Sequence, residues 1–105
     1  MTDGQQAEDM KDALKAKTEK DIGLTRRALE KLKIIAPERS HLRRLAEDCL
    51  SMAKAYYDDA RHFFEKGDYI NAFGCVNYAH GWLDAGARLG LFDVGGDDQL
   101  FTLAE

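Results

Sequence analysis

Apolar positions recur at three- and four-residue spacing along most of the chain, which predicts helices throughout. In the first helix Ile22, Thr25, Leu29, Leu32 and Ala36 form the stripe, while Arg26, Arg27 and Lys33 fall outside it. Pro37 interrupts this pattern because it lacks a backbone donor and clashes with the preceding turn. It is equally suited to open the next helix. The second helix runs from Pro37 or Ser40 to Lys66, with Leu42, Leu45, Cys49, Met52, Tyr56, Ala60 and Phe63 in line, widened by Ala46, Ala53 and Phe64. That is a one-sided amphipathic helix. In Lys66-Gly67-Asp68, Gly67 supplies a left-handed C-terminal residue and Asp68 an N-cap for the next helix.

The third helix, Tyr69 to about Leu89 before Gly90, is patterned differently. One face carries Tyr69, Ala72, Phe73, Val76, Ala79, Leu83 and Ala87, and the opposite face carries Tyr78, Trp82, Ala85 and Leu89. Ile70, Asn77, Gly81, Asp84 and Arg88 share the remaining stripe. A helix apolar nearly all round is buried on more than one side. Gly74, Gly81 and Gly86 each cost roughly 1 kcal/mol inside a helix, and close approach of a neighbouring helix would offset that.

Three helices with short breaks predict an all-α fold, an antiparallel three-helix bundle over residues 18–92. Residues 1–17 show only the weak stripe Ala7, Met10 and Leu14 and read as a flexible or helical arm. Residues 93–105 read as an acidic, flexible tail that begins Asp93-Val94-Gly95-Gly96-Asp97-Asp98 and carries an apolar tag of Leu100, Phe101 and Leu103.

Composition narrows the class. At 105 residues, with one proline and 45% hydrophobic residues, this is one domain. The net charge of −4 hides an asymmetry: residues 24–46 hold seven basic side chains against two acidic ones. Cys49 and Cys75 have no metal-binding or redox spacing and read as reduced, buried thiols. No stretch has the apolar core of a signal peptide or the length of a membrane span, so a cytoplasmic protein is expected.

The run from Lys66 to Phe92, KGDYINAFGCVNYAHGWLDAGARLGLF, resembles the signature of an archaeal family catalogued as domain of unknown function 357. The likeness covers roughly Lys20 to Phe92 and rests most on the elements from Gly67 onward. It implies a short three-helix fold, archaeal origin and no established activity. A looser similarity, to HEPN-type helical domains, rests on the helix–GDY–helix hairpin. The ribonucleases of that class place an Arg four to six intervening residues before a His, and no Arg stands so before His41, His62 or His80.

Four groups of residues are candidates for chemistry or binding. Asn77, His80, Asp84 and Arg88 follow one another at helical spacing, and a carboxylate one turn from an imidazole can orient it for proton transfer. An ordinary Asp84–Arg88 ion pair beside a hydrogen-bonded core histidine explains the same pattern. Asp58, Asp59, His62 and Asp68 crowd the second corner, where a solvated surface with one capping Asp is the simpler reading. Arg26, Arg27, Arg43 and Arg44 could hold phosphates, yet the stretch has no interleaved aromatic residue. Tyr78, Trp82 and Leu89 need cover, either from helix one or from a partner, for which Trp and Tyr are favoured anchors.

No nucleophile–base pair, phosphate loop or dinucleotide fingerprint is present. The reading is therefore a non-enzymatic interaction module without cofactor or metal, a homodimer or the small subunit of a complex. The alternative is an RNA- or nucleotide-associated domain that uses the basic face of residues 26–44. No membrane partner is expected.

Overall fold

The structure, a computed structural model, describes residues 2–95. Three helices dominate: α1 (Asp3–Lys31), α2 (His41–Glu65) and α3 (Tyr69–Arg88). Two short strands, β1 (Lys33–Ile34) and β2 (Phe92–Asp93), pair antiparallel with Lys33 opposite Asp93 and Ile34 opposite Phe92. The molecule is a flattened all-α bundle, 58 × 27 × 17 Å, plus this ribbon. Among the described residues no helix is long and apolar enough to cross a membrane.

The helix ends are written in local chemistry. Thr2, Ser40 and Asp68 cap α1, α2 and α3, each side-chain oxygen accepting the N–H three residues on. Gly67 and Gly90 adopt positive φ. Around Gly67 the Asp68 N–H reaches the Phe63 carbonyl at 2.9 Å and the Gly67 N–H the Phe64 carbonyl at 3.0 Å. Around Gly90 the Leu91 and Gly90 N–H groups reach Gly86 and Ala87 in the same way, at 2.9 and 3.1 Å. Both are six-to-one and five-to-two closures that satisfy the last carbonyls of a helix. The first reverses the chain into α3, and the second turns it into β2.

α2 and α3 form the tightest pair. Ala46, Ala53 and Ala60 on one, and Ala72, Ala79 and Gly86 on the other, recur every seven residues and are all buried. In an antiparallel hairpin these small residues come within two residues of a common level, Ala60 near Ala72, Ala53 near Ala79, and Ala46 near Gly86. Small side chains at each level let the axes approach closely. α1 packs mainly on α3 and only lightly on α2, through buried Thr18, Thr25 and Ala28. Leu83, Leu91, Phe92 and Val94 close the core beside Ala28, Ala46 and Ala53.

Several expectations change. The stripe assigned to helix one ends as a helix at Lys31, so Leu32 and Ala36 belong to the connection that carries β1. Its N-terminal arm is helical from Asp3 and continuous with α1. Asp93 and Val94 belong to the folded unit, because the ribbon with β1 holds Asp93 and buries Val94. The apolar tag Leu100, Phe101 and Leu103 lies outside the described residues. The glycines of α3 also differ from one another. A Cβ at Gly74 or Gly81 would meet open space, whereas one at Gly86 would overlap the Phe92 ring. Only Gly86 is matched by a close approach, and a strand residue makes it.

Candidate interaction surface

α3 has two flanks outside its buried stripe. One bears Asn77, His80 and Asp84 and faces α1. The Thr25 hydroxyl lies 3.4 Å from His80 Nδ1, and His80 Nε2 lies 3.5 Å from Asp84 Oδ1. The tautomer with its proton on Nε2, toward Asp84, leaves Nδ1 to accept from Thr25. Lys17 and Asp21 of α1 add an i,i+4 ion pair at 3.1 Å, and these side chains line an open cleft of about 340 Å³. Thr25, Lys17 and Asp21 complete this cleft, and only the packing of α1 on α3 brings them there. Arg88 lies outside its lining, exposed in the last turn of α3. There its charge favours the negative end of the helix dipole.

The other flank is the reverse. α1 does not reach Tyr78, Trp82 or Leu89, which remain 65%, 36% and 71% exposed. The cover that helix one could have given this face is spent on the polar flank instead. Tyr78 stacks on Tyr56 of α2, with ring centroids 5.3 Å apart and planes at 23°. Tyr56, Tyr78, Trp82 and Ala85 frame an open groove of about 350 Å³.

The surface continues onto α2. Leu42, Leu45 and Met52, which the sequence pattern assigns to the core stripe, are 52%, 42% and 38% exposed. The reason is that the light contact of α1 with α2 leaves the side of this stripe away from the core uncovered. Because α2 and α3 turn at Gly67, residues equally distant from it come level: Tyr56 with Tyr78, Met52 with Trp82, Cys49 with Ala85, and Leu45 with Leu89. The Tyr56–Tyr78 stack is the direct observation of that register. A band of apolar side chains thus crosses both helices.

The remaining candidates stay separate. Arg26, Arg27 and Arg44 are exposed, while Arg43 is partly covered and engaged, its Nε 3.2 Å from Glu47 and its Nη1 3.3 Å from the Ala36 carbonyl. Asp68 caps α3, Asp58 and Asp59 are exposed, and the His62 ring sits edge-on to Phe63 at 5.9 Å. Among the described residues no three His, Cys, Asp or Glu side chains gather as metal ligands would. Cys49 and Cys75 are free thiols, both pushed above the usual thiol range by burial first. Asp48 adds to the effect at Cys49, and Asp59 and Asp68 add to it at Cys75.

The family described as "Protein of unknown function (DUF357)" matches residues 20–92, and the chain belongs to it. The match spans the C-terminal part of α1, β1, all of α2 and α3, and the first residue of β2. No curated protein and no solved structure matches the chain.

Proposed function

We propose that this member of the DUF357 family is a non-enzymatic interaction module that binds a protein through the outer face of its α2–α3 hairpin. The observation that carries this reading is the exposure of Tyr78, Trp82 and Leu89, flanked on α2 by exposed Leu42, Leu45 and Met52. Large apolar side chains scattered singly on a surface are ordinary, but a contiguous patch marks an interaction site. Aromatic anchors framed by small residues suit a protein partner. The polar flank supports the same reading, since its His80 is engaged by Thr25 of α1 on one side and by Asp84 on the other.

The test is a paired one on the full chain. Trp82→Asp and Leu89→Asp place charges on the face without touching the buried stripe. Both variants are expected to keep the helical content of the wild type and to melt cooperatively, at a lower temperature because association no longer stabilises the fold and, for Trp82→Asp, because the partly covered indole is lost. Both should lose whatever association the wild type shows, read by light scattering and by affinity capture from cells. Identical association by wild type and variants would sink the proposal.

A further inference from the structure

We infer that the occupant of this face is a second copy of the chain, hairpin against hairpin, closing a four-helix bundle about a two-fold axis. The inference rests on the interaction reading above and adds the identity of the partner. Its first support is spacing. The band falls at positions 45, 49, 52 and 56 on α2 and at 78, 82, 85 and 89 on α3. Both rows advance by four, three and four residues, the 3.5-residue period of a helix–helix seam. Over eleven residues, roughly 16 Å at the helical rise, each row therefore stays on one side of its helix. That regularity suits facing helices, and an irregular ligand would have no need of it.

Symmetry is the second support. The two rows have the same length, and the Tyr56–Tyr78 stack sets them level. A half-turn about an axis that runs along the hairpin, between the two rows, therefore lays α2 of one copy over α3 of the other at the same level, an isologous arrangement. Size is compatible: at about 200 Å² for a large side chain, the exposed fractions of the six large residues amount to on the order of 600 Å² of apolar surface per copy. A standard interface buries about 800 Å² per partner, so the rim has only a minor share to add. Open space above Gly81 gives a facing helix room to approach.

Charge selects the pairing. No position of either row is charged. Asp48 and Arg88 stand beside the rows, within two residues of the same level, one on α2 and the other on α3. Laying α2 over α3 of the second copy sets Asp48 against Arg88 of that copy, twice per dimer. Laying α2 over α2 brings no such pair together.

The experiment is sedimentation equilibrium on the full chain across a wide concentration range. A dimer is expected, and Trp82→Asp and Leu45→Asp are expected to be folded monomers. Asp48→Arg should weaken dimerisation about tenfold through its two rim pairs, and Asp48→Arg combined with Arg88→Asp should restore it. A dimer indifferent to Trp82→Asp and Leu45→Asp would overturn both the inference and the choice of face. A wild type monomeric at millimolar concentration overturns the second copy as occupant. If that monomer captures a cellular protein that Trp82→Asp loses, the interaction reading survives alone. If it captures nothing that depends on Trp82, both fall.

Discussion

The two flanks of α3 carry opposite chemistry and receive opposite treatment. Toward α1 stand His80 and Asp84, polar and largely covered. Toward the outer side of α2 stand Tyr78, Trp82 and Leu89, apolar and open. A chain optimised only to fold alone would place them the other way, since burying apolar area stabilises at about 25 cal/mol per Å² and burying polar groups costs unless they are paired. The covered flank meets that condition with an imidazole, a carboxylate and the Thr25 hydroxyl in one short chain of contacts. The open flank has no such compensation within the described residues. Among the described residues α1 thus covers the polar flank and leaves the outer face of the hairpin open, which is the condition the proposed interaction needs.

The largest effect is expected from truncating a leucine on each side of α3. Leu83 is fully buried in the core, whereas Leu89 is largely exposed. Leu83→Ala should cost about 3 kcal/mol by lost burial and a residual cavity. Leu89→Ala should change the stability of the dilute chain by less than about 0.5 kcal/mol, as exposed positions do. Urea titrations at low concentration give both values. A large loss at Leu89 in dilute solution would show the open flank to be covered within the single chain.

Next in size are the glycines that set the hairpin and its far end. Gly86→Val forces the Phe92 ring out of its seat and should cost about 2 kcal/mol, the usual range for overpacking a fitted core. Gly81→Ala, one and a half turns away, meets open space and should stabilise the helix by several tenths of a kcal/mol. Gly67→Val places a β-branched residue at a φ of 77° and should cost roughly 1 kcal/mol or more. Equal effects at Gly81 and Gly86 in thermal melts would show that the Phe92 ring is not what requires Gly86.

These contrasts also mark what the sequence makes legible. The hairpin is readable because its signals are local: Gly67, Asp68 as a cap, and a stripe on each side. The run from Gly67 to Phe92 carries the family resemblance for the same reason. The ribbon is not readable, because Lys33–Ile34 and Phe92–Asp93 are too short for alternation and pair across some sixty residues. The exposure of Leu45 and Met52 is hidden for a deeper reason. A stripe shows which side of a helix is apolar, while its cover depends on where the other helices go. α1 carries buried threonines at 18 and 25 where a core helix ordinarily carries leucine, and that is the one sequence trace of its choice of the polar flank.

On that covered flank the effects should be smaller. Thr25→Val keeps the shape of the side chain and removes the hydroxyl, and it should cost about 1 kcal/mol by leaving His80 Nδ1 without its partner. Asp84→Asn should cost a few tenths of a kcal/mol, the worth of an i,i+4 pair. It should leave association through Tyr78 and Trp82 untouched. Unchanged melting together with lost association would transfer the functional role from the apolar flank to His80 and Asp84.

The finest probe is the reactivity of the two thiols. Burial raises both above the usual thiol range, and Asp48 beside Cys49, with Asp59 and Asp68 near Cys75, pushes them in the same direction. Only the thiolate attacks an alkylating reagent, so at neutral pH both should react more slowly than a free thiol, even though each is only partly covered. Raising the pH should speed both, with the rise displaced to higher pH than for an unperturbed cysteine. Cys49 lies in the middle of the band that crosses α2 and α3, and Cys75 lies one turn beyond Tyr78 at its edge. Rates for the two sites, measured by mass spectrometry at increasing chain concentration, therefore report separately on the face and on its margin. If the outer face is where chains meet, Cys49 slows as the concentration rises while Cys75 slows less or not at all. Equal slowing at both sites would mean that association does not centre on the band, and a Cys49 rate independent of concentration would mean that the open flank stays open.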